Sequence, residues 1–278
     1  MHPEDITFES LMPHPHLRWS LLVTTLSFSS LVAGDAASPA QFRWADFDST
    51  CSSIASQLSL PNATVFFSEL VTQGTNLTFP ERDPSCVSPT VSPEFLVVPA
   101  DVCRISLAVQ TSNRSGINME AWLPRNWTGR FLSTGNGGVG GCIQYADMAY
   151  TSALGFATVG ANNGHNGTSG RFFLNNSDVL EDYVYRSMHT GVAVGKEIIK
   201  AFYGSEHTKS YYFGCSTGGR QGFKSIQDIP EDFDGVVAGA PVTQANNAVD
   251  SYSHIFNITG TPDLTTPCML DGKPQLQH

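Results

Sequence analysis

The chain is poor in charge. Only 14% of its 278 residues are Asp, Glu, Lys or Arg, well below the usual quarter, which argues against a coiled coil and a charge-rich disordered chain. Basic residues are the scarcer sign. There are 15 Lys and Arg against 25 Asp and Glu, a formal net charge of -10. With no basic run, nucleic acid and an anionic membrane surface are not expected partners. The six cysteines contain no C-x-x-C pair, so a zinc site or a dithiol redox centre is not expected. No internal repeat is visible. No apolar run is long enough to span a bilayer comfortably.

What is present is ordinary core material: 41% hydrophobic and 10% aromatic residues, in a length that suits one large domain or a domain with an appendage. The apolar run Trp19 to Val32 follows Arg18 and precedes a small-residue stretch from Ala33 to Ser38. That order describes a secretory signal, with cleavage expected after Gly34. Glu4, Asp5 and Glu9 fit a signal's basic leader poorly, whereas Met12 opens a better one, so residues 1–11 read as an upstream extension. Asn-x-Ser/Thr acceptors stand at Asn62, Asn76, Asn113, Asn126, Asn166, Asn175 and Asn257. Beside a signal they point to a secreted, extracellular glycoprotein. The dispersed cysteines Cys51, Cys86, Cys103, Cys142, Cys215 and Cys268 agree with an oxidising compartment; fifteen complete pairings are possible and spacing alone does not choose among them.

Four stretches follow from the pattern: a signal region at 1–34, a loop-rich region at 35–101 tied by disulfides and packed on the main domain, a core at 102–245, and a segment at 246–278. Within the first 101 residues the helix signal is weak apart from Ala45–Leu58. From residue 102, apolar runs alternate with Gly-rich turns and helical stretches. Strands are expected at Cys103–Gln110, Asn118–Leu123, Arg130–Thr134, Phe156–Gly160, Ser210–Gly214 and Phe233–Gly239. Helices are expected at Asp182–Tyr203 and Gly219–Gln227. This alternation predicts an α/β fold with a mostly parallel sheet and helices on both faces.

Residues 214–218, Gly-Cys-Ser-Thr-Gly, fit G-x-S-x-G between an apolar strand and a helix. A sharp strand-to-helix turn there strains the serine backbone and projects the Ser216 hydroxyl above the sheet, and Gly214 and Gly218 avoid a collision of side chains. The Thr217 amide then points to where an oxyanion forms. The competing reading is an ordinary turn rich in small residues. Upstream, Gly135–Gly141 follows a strand at the place where α/β-hydrolases carry the loop that gives the second oxyanion amide; Gly138 is the candidate and Gly137 the alternative. The loop fits neither phosphate-binding glycine spacing, and no Lys is placed to reach phosphates.

A serine nucleophile needs a base and an acid that orients it, following it in chain order. His254 follows Ser216 but comes too early for the last strand of a full sheet and reads as a surface or lid histidine; His278 is terminal, and His165 and His189 lie upstream. Asp228, Asp232 and Asp234 read as cap and turn residues.

GCSTGGRQG followed by IPEDFDGVVAGAP closely resembles the tannase and feruloyl esterase family. The likeness extends to HTGVAVGKEIIKAFYG, GNGGVGGCIQYADM and GFATVGANNGH, covering roughly residues 45–260. The resemblance implies a secreted α/β-hydrolase with a large lid, acting on feruloyl or galloyl esters. It implies Ser216 as nucleophile and Thr217 as an oxyanion amide. It also implies the pairs Cys51–Cys103 and Cys86–Cys142, and a Cys215 whose partner stands beside the catalytic histidine. No position here matches that partner, the catalytic Asp or the His, so the fold is read as an incomplete α/β-hydrolase carrying only the start of the lid. Unpartnered, Cys215 is expected to be a buried thiol or to mispair with Cys268. A sheet that lacks its last strands is expected to leave an apolar edge exposed. Cys268–Gly272 resembles the start of the family's calcium loop without its Asp-Gly repeat, which argues against calcium; no cofactor is expected for the chemistry. His165 stands in Asn-Asn-Gly-His, where the family often has Asp-x-Gly-His, and reads as a packing or substrate-side residue.

The expected function is therefore a serine carboxylic ester hydrolase of phenolic esters, free or on plant polysaccharide, with negligible activity as this chain alone. The alternatives are a non-catalytic secreted glycoprotein or pseudoenzyme that binds aromatic ligands, and a general lipase-like esterase.

Overall fold

The computed structural model describes residues 46–88 and 93–244, with isolated positions at 250, 254, 257 and 258. The signal stretch, Cys268, the calcium-loop likeness and His278 lie outside the described residues.

Helix α1 (Phe47–Gln57) buries Phe47, Cys51 and Ile54, one stripe at helical spacing. Cys51 is bonded to Cys103, which fastens α1 to the strand that carries that residue. Strands follow at β1 (Ala63–Val71), β2 (Asn76–Thr78), β3 (Phe95–Val97), β4 (Val102–Gln110), β5 (Gly116–Pro124) and β6 (Arg130–Thr134). Then come helix α2 (Tyr145–Ala153), β7 (Phe156–Ala161), α3 (Ser177–Glu181), a π-helical turn (Asp182–Arg186), α4 (Ser187–Tyr203), β8 (Lys209–Cys215), α5 (Thr217–Asp228) and β9 (Gly235–Gly239). Strands β2 and β3 form a small two-stranded antiparallel sheet of their own, and the other seven form one sheet in the order β1-β4-β5-β7-β6-β8-β9.

The sheet is mixed, which corrects the mostly parallel expectation. The β1–β4, β4–β5 and β5–β7 pairs are antiparallel; the β6–β7, β6–β8 and β8–β9 pairs are parallel. A parallel neighbour needs a crossover, and the chain between β4 and β5 is only a short turn. The segment that reads as loop-rich also supplies β1, an edge strand of the main sheet. A register shift between Val65 and Phe67 interrupts its pairing, and its burial alternates only from Ala63 to Phe67, so the period-two signal of a strand is cut short. The helix expected at Asp182–Tyr203 begins instead as a π-helical turn, with α-helix from Ser187. The last strand starts at Gly235 because residues 230–232 form a 3-10 turn.

Both faces of the sheet are covered, as the near-continuous burial along β4 and β5 shows. Ile105, Leu107 and Val109 of β4 meet Ile117, Met119 and Leu123 of β5 beneath α1 and α4. On the other face Trp122 joins Phe79, Tyr145 and Met148. Helix α4 lies close to the sheet at Gly195, where a Cβ would stand 2.6 Å from Val159 Cγ1. Gly195, unfavourable by propensity in a helix interior, is thus a packing requirement.

That second face also holds a charged cluster. Arg104 is 4% exposed and Glu120 1%. Arg104 Nε donates to Glu120 Oε2 at 2.7 Å and Nη1 donates to Glu69 at 2.9 Å; Glu81 accepts from Nη2. Trp122 Nε1 and the Tyr145 hydroxyl complete the shell of Glu120 at 2.9 and 3.0 Å. The guanidinium also faces the rings of Phe67 and Phe79. A buried ion pair is sustained only when further hydrogen bonds fill its remaining capacity, and Glu120 accepts four here.

Strand β9 has no outer neighbour among the described residues. Val237 is 60% exposed, and Phe223 and Ile226 of the adjoining α5 are likewise exposed. No described helix is long and apolar enough to cross a membrane.

Candidate active site

Ser216 lies between the end of β8 and the start of α5, at φ 61° and ψ -116°. A non-glycine residue in that region is strained by roughly 1–3 kcal/mol and persists only if its surroundings over-determine it. They do so here through the backbone. The Ser216 amide donates to the Gly239 carbonyl at 3.0 Å, and the Ser216 carbonyl accepts from the amides of Arg220 at 3.1 Å and Val242 at 3.2 Å. The end of β9 therefore grips the turn on one side, and α5 holds it on the other.

The glycines around the serine are steric necessities. A Cβ on Gly214 would lie 2.6 Å from the Tyr212 hydroxyl and 2.9 Å from the Gly218 carbonyl carbon. A Cβ on Gly218 would lie 3.1 Å from the Asn136 carbonyl oxygen. Gly219 is tighter still against the Gly239 carbonyl, a constraint that the five-residue motif does not reveal. Tyr212, buried beneath the turn, donates its hydroxyl to the Gly218 carbonyl at 2.6 Å. Burial pushes its ionisation well above the ordinary tyrosine range, so it stays a neutral donor.

The glycine-rich loop 135–141 lies directly against this turn. The Gly135 amide continues the β6–β8 ladder by donating to the Phe213 carbonyl at 2.8 Å. The Thr217 hydroxyl donates to the Gly138 carbonyl at 2.6 Å. Gly138 has φ 59° with open space where a Cβ would be, a conformation that glycine adopts without penalty. The amides of Gly137 and Gly138 have no acceptor among the described residues, and the Thr217 amide is one of the unsatisfied donors at the first turn of α5. Free backbone donors thus lie in the residue after Ser216 and in the loop that Thr217 binds.

A buried polar network that sequence reading does not find supports the loop. Gln221 Oε1 accepts from the Asn136 amide at 3.0 Å, and its Nε2 donates to Asn136 Oδ1 at 3.1 Å and Asn163 Oδ1 at 2.9 Å. Asn136 Nδ2 donates to the Cys142 and Ala161 carbonyls, and Ser187 donates to Asn163 Oδ1. Its one trace in the sequence is the presence of Gln221 and Asn136 inside the two glycine motifs. Arg220 is structural in the same sense. It donates to the Tyr183 and Val184 carbonyls at 3.2 Å and so holds the π-helical turn.

The structure pairs Cys51 with Cys103 and Cys86 with Cys142, the two pairs the resemblance implies. The second bond fixes the far end of the glycine loop. Cys215 is a free thiol and is exposed, which corrects the expectation of a buried one. Burial along β8 falls on Ser210, Tyr212 and Gly214, and Cys215 continues the opposite, more open face. His165 is buried, with Nδ1 3.3 Å from the Asn163 carbonyl and its ring against Phe172, Phe173 and Tyr183. Burial holds its pKa below the ordinary histidine value, despite carbonyls at Asn163 and Val139 that favour the charged form.

No imidazole or carboxylate is hydrogen-bonded to the Ser216 hydroxyl among the described residues. His189 is paired with Asp232 at 2.9 Å. Asp234 accepts from the Ser210 amide and pairs with Lys209, a turn role as its position suggests. The side chain at His254 is exposed.

A sharp strand–serine–helix turn beside a glycine loop, in a sheet ordered in this way, defines an α/β-hydrolase. The family model described as "Tannase and feruloyl esterase" matches residues 101–265. The chain is 53% identical over 250 residues to a probable feruloyl esterase B-2 of Aspergillus terreus, covering 90% of this chain and 45% of that protein. It is 54% identical over 221 residues to feruloyl esterase C of Talaromyces stipitatus, covering 80% of this chain and 41% of that protein. Among solved structures, feruloyl esterase B from Aspergillus oryzae is 48% identical with a TM-score of 0.70, covering 78% of this chain and 42% of the other. An esterase from the same organism is 57% identical with a TM-score of 0.73, over the same shares. The chain belongs to the tannase and feruloyl esterase family. It spans less than half the length of these relatives.

Proposed function

We propose that this chain carries the nucleophile and oxyanion side of a serine carboxylic ester hydrolase that acts on phenolic esters, feruloyl or galloyl, free or attached to plant polysaccharide. The observation that carries this reading is the strained Ser216, held at the mouth of a loop whose amides are unengaged. The Ser216 hydroxyl attacks the ester carbonyl; its proton passes to a base, and the carbonyl oxygen becomes an oxyanion. The amides of Thr217 and Gly138, with Gly137 as the alternative to Gly138, stabilise that charge. Collapse expels the alcohol and leaves an acyl-enzyme, which water then hydrolyses to the phenolic acid.

Base and orienting acid must come from residues outside the described part, because no described imidazole reaches Ser216. Cys215 is exposed beside the nucleophile, which supports the disulfide to the base-bearing part that the resemblance implies. A chain in which no base reaches Ser216, as among the described residues, is expected to turn over methyl ferulate negligibly, since a serine without its base retains only residual catalysis. Its secreted, glycosylated character rests on the leader pattern and on seven exposed acceptor asparagines.

The test is a chimera of residues up to 244 with the later half of the Aspergillus oryzae feruloyl esterase, assayed on methyl ferulate, methyl gallate and a short acyl ester. Phenolic ester hydrolysis that is abolished by Ser216→Ala supports the reading. Activity unaffected by that change, or confined to the short acyl ester, overturns it. A well-folded chimera that binds ferulate without turnover favours the non-catalytic alternative.

A further inference from the structure

We propose that an N-linked glycan on Asn166 folds back onto this protein, with its first sugar seated in a cavity against Phe66. The inference rests on the secreted reading above and adds a binding role for a site within it. The cavity has a volume of about 320 Å³ and is lined by Phe66, Phe67, Ser106, Asn118 and Asn166, among others. It therefore falls at the lower end of the range for small-molecule sites.

Four observations converge on a carbohydrate attached at its rim. Asn166 heads the acceptor Asn166-Gly167-Thr168 and is exposed. Its Oδ1 accepts from Asn162 Nδ2 at 2.9 Å and from Asn118 Nδ2 at 3.4 Å. Among the described residues it is the one acceptor asparagine whose side chain is hydrogen-bonded, and its Nδ2, the atom that carries a glycan, has no partner. The backbone beneath it is fixed: the Gly167 amide donates to the Gly141 carbonyl at 3.0 Å, and the Thr168 amide donates to Ser85 Oγ at 3.0 Å. The glycan root is therefore rigid rather than borne on a free loop.

The fourth observation is the ring of Phe66 in the same cavity. Consecutive strand residues ordinarily face opposite sides of a sheet. The β-bulge at Val65–Phe67 breaks that alternation, and Phe66 and Phe67 line the same cavity. Phe67 is occupied by Arg104, whereas Phe66 is 58% exposed. An exposed ring beside hydroxyl and amide groups presents what a pyranose needs, an apolar face to stack on and polar partners for its hydroxyls. In the attachment step the Nδ2–C1 bond forms as the C1–O bond of an oligosaccharyl diphosphate lipid breaks. The lipid diphosphate leaves, and Nδ2 loses one proton.

The test uses the full chain secreted from a fungal host, with glycan occupancy read by peptide mass mapping. Thr168→Ala removes the acceptor while keeping the Asn166 hydrogen bonds. Thermal unfolding is compared for wild type, Phe66→Ala, Thr168→Ala and the double variant. Seating predicts that Phe66→Ala lowers the midpoint by about 2–4 °C in the glycosylated protein and leaves it unchanged in the Thr168→Ala background. Equal shifts in both backgrounds overturn the proposal. Glycans at other asparagines with Asn166 bare overturn it alone; a secreted chain with no glycan at all overturns both it and the glycoprotein reading. If a variant is not secreted, enzymatic release of the glycan from the native proteins decides. Seating predicts slow release from Asn166 in wild type relative to the exposed acceptors, and an equal rate at all of them contradicts it.

Discussion

The Thr217 hydroxyl and the Gly138 carbonyl lie 2.6 Å apart although 79 residues separate them in the chain. The bond joins the first residue of the helix after the nucleophile to the loop that faces it. It makes the elbow and the glycine loop one unit, and both proposed oxyanion amides belong to its two partners.

Thr217→Val keeps the shape of that side chain and removes the donor. The loss of one partly buried hydrogen bond costs about 1 kcal/mol. Its local consequence is larger than its effect on stability: amide exchange in residues 135–141 should accelerate, while exchange in β4 and β5 stays unchanged. Thr217→Ser should restore protection. Loop exchange that is the same in Thr217→Val and wild type would show that the bond does not hold the loop.

Gln221→Leu tests the network beneath. It strips partners from the Asn136 amide, Asn136 Oδ1 and Asn163 Oδ1, all buried, and should destabilise the chain by about 1–3 kcal/mol in urea unfolding. Gln221→Glu should be worse than Leu, because it turns a carboxylate oxygen toward two carbonyl-type oxygens. Glu tolerated better than Leu would contradict the assigned orientation of the amide.

Arg104→Met leaves Glu120 buried without its cation. A loss of about 3–5 kcal/mol is expected. Adding Glu120→Gln should recover part of that loss, since the uncompensated charge is then gone. Additive losses in the double variant would mean that the pair is not coupled.

His165 supplies a pH dependence. Its pKa is lowered in the fold by burial, so the unfolded chain takes up a proton first as the pH falls. The stability it contributes is intact above the unfolded value near 6.5 and is lost as the pH falls toward the lowered one. Phe is a fitting replacement among Phe172, Phe173 and Tyr183. His165→Phe should flatten the fall in unfolding free energy between pH 7.5 and 5; a slope identical to wild type would contradict the burial argument.

The elements most legible in the sequence are those with local punctuation. Strand β6 is legible to its observed ends because Gly129 and Gly135 bracket it, and α5 because the elbow glycines announce it. Strand β1 is not, since a bulge cuts its alternation short and its outer side chains are exposed. The antiparallel half of the sheet is hidden for a different reason: strand direction depends on how the connections run, which apolar patterning does not encode. The strained Ser216 and its glycines are legible from one motif. The Asn136–Gln221–Asn163 network is not, because three polar residues far apart in the chain leave no periodic trace. Cys215 misleads because a cysteine on an apolar strand is expected to be buried, although it lies on that strand's open face.

Covalent labelling decides whether Ser216 is the nucleophile. The chimera with the later half of the Aspergillus oryzae feruloyl esterase is treated with a fluorophosphonate, digested and mapped by mass spectrometry. A single adduct is expected on the peptide that contains Ser216, absent from Ser216→Ala. Blocked ester hydrolysis with the adduct on another residue, or an undiminished adduct in Ser216→Ala, would contradict that role.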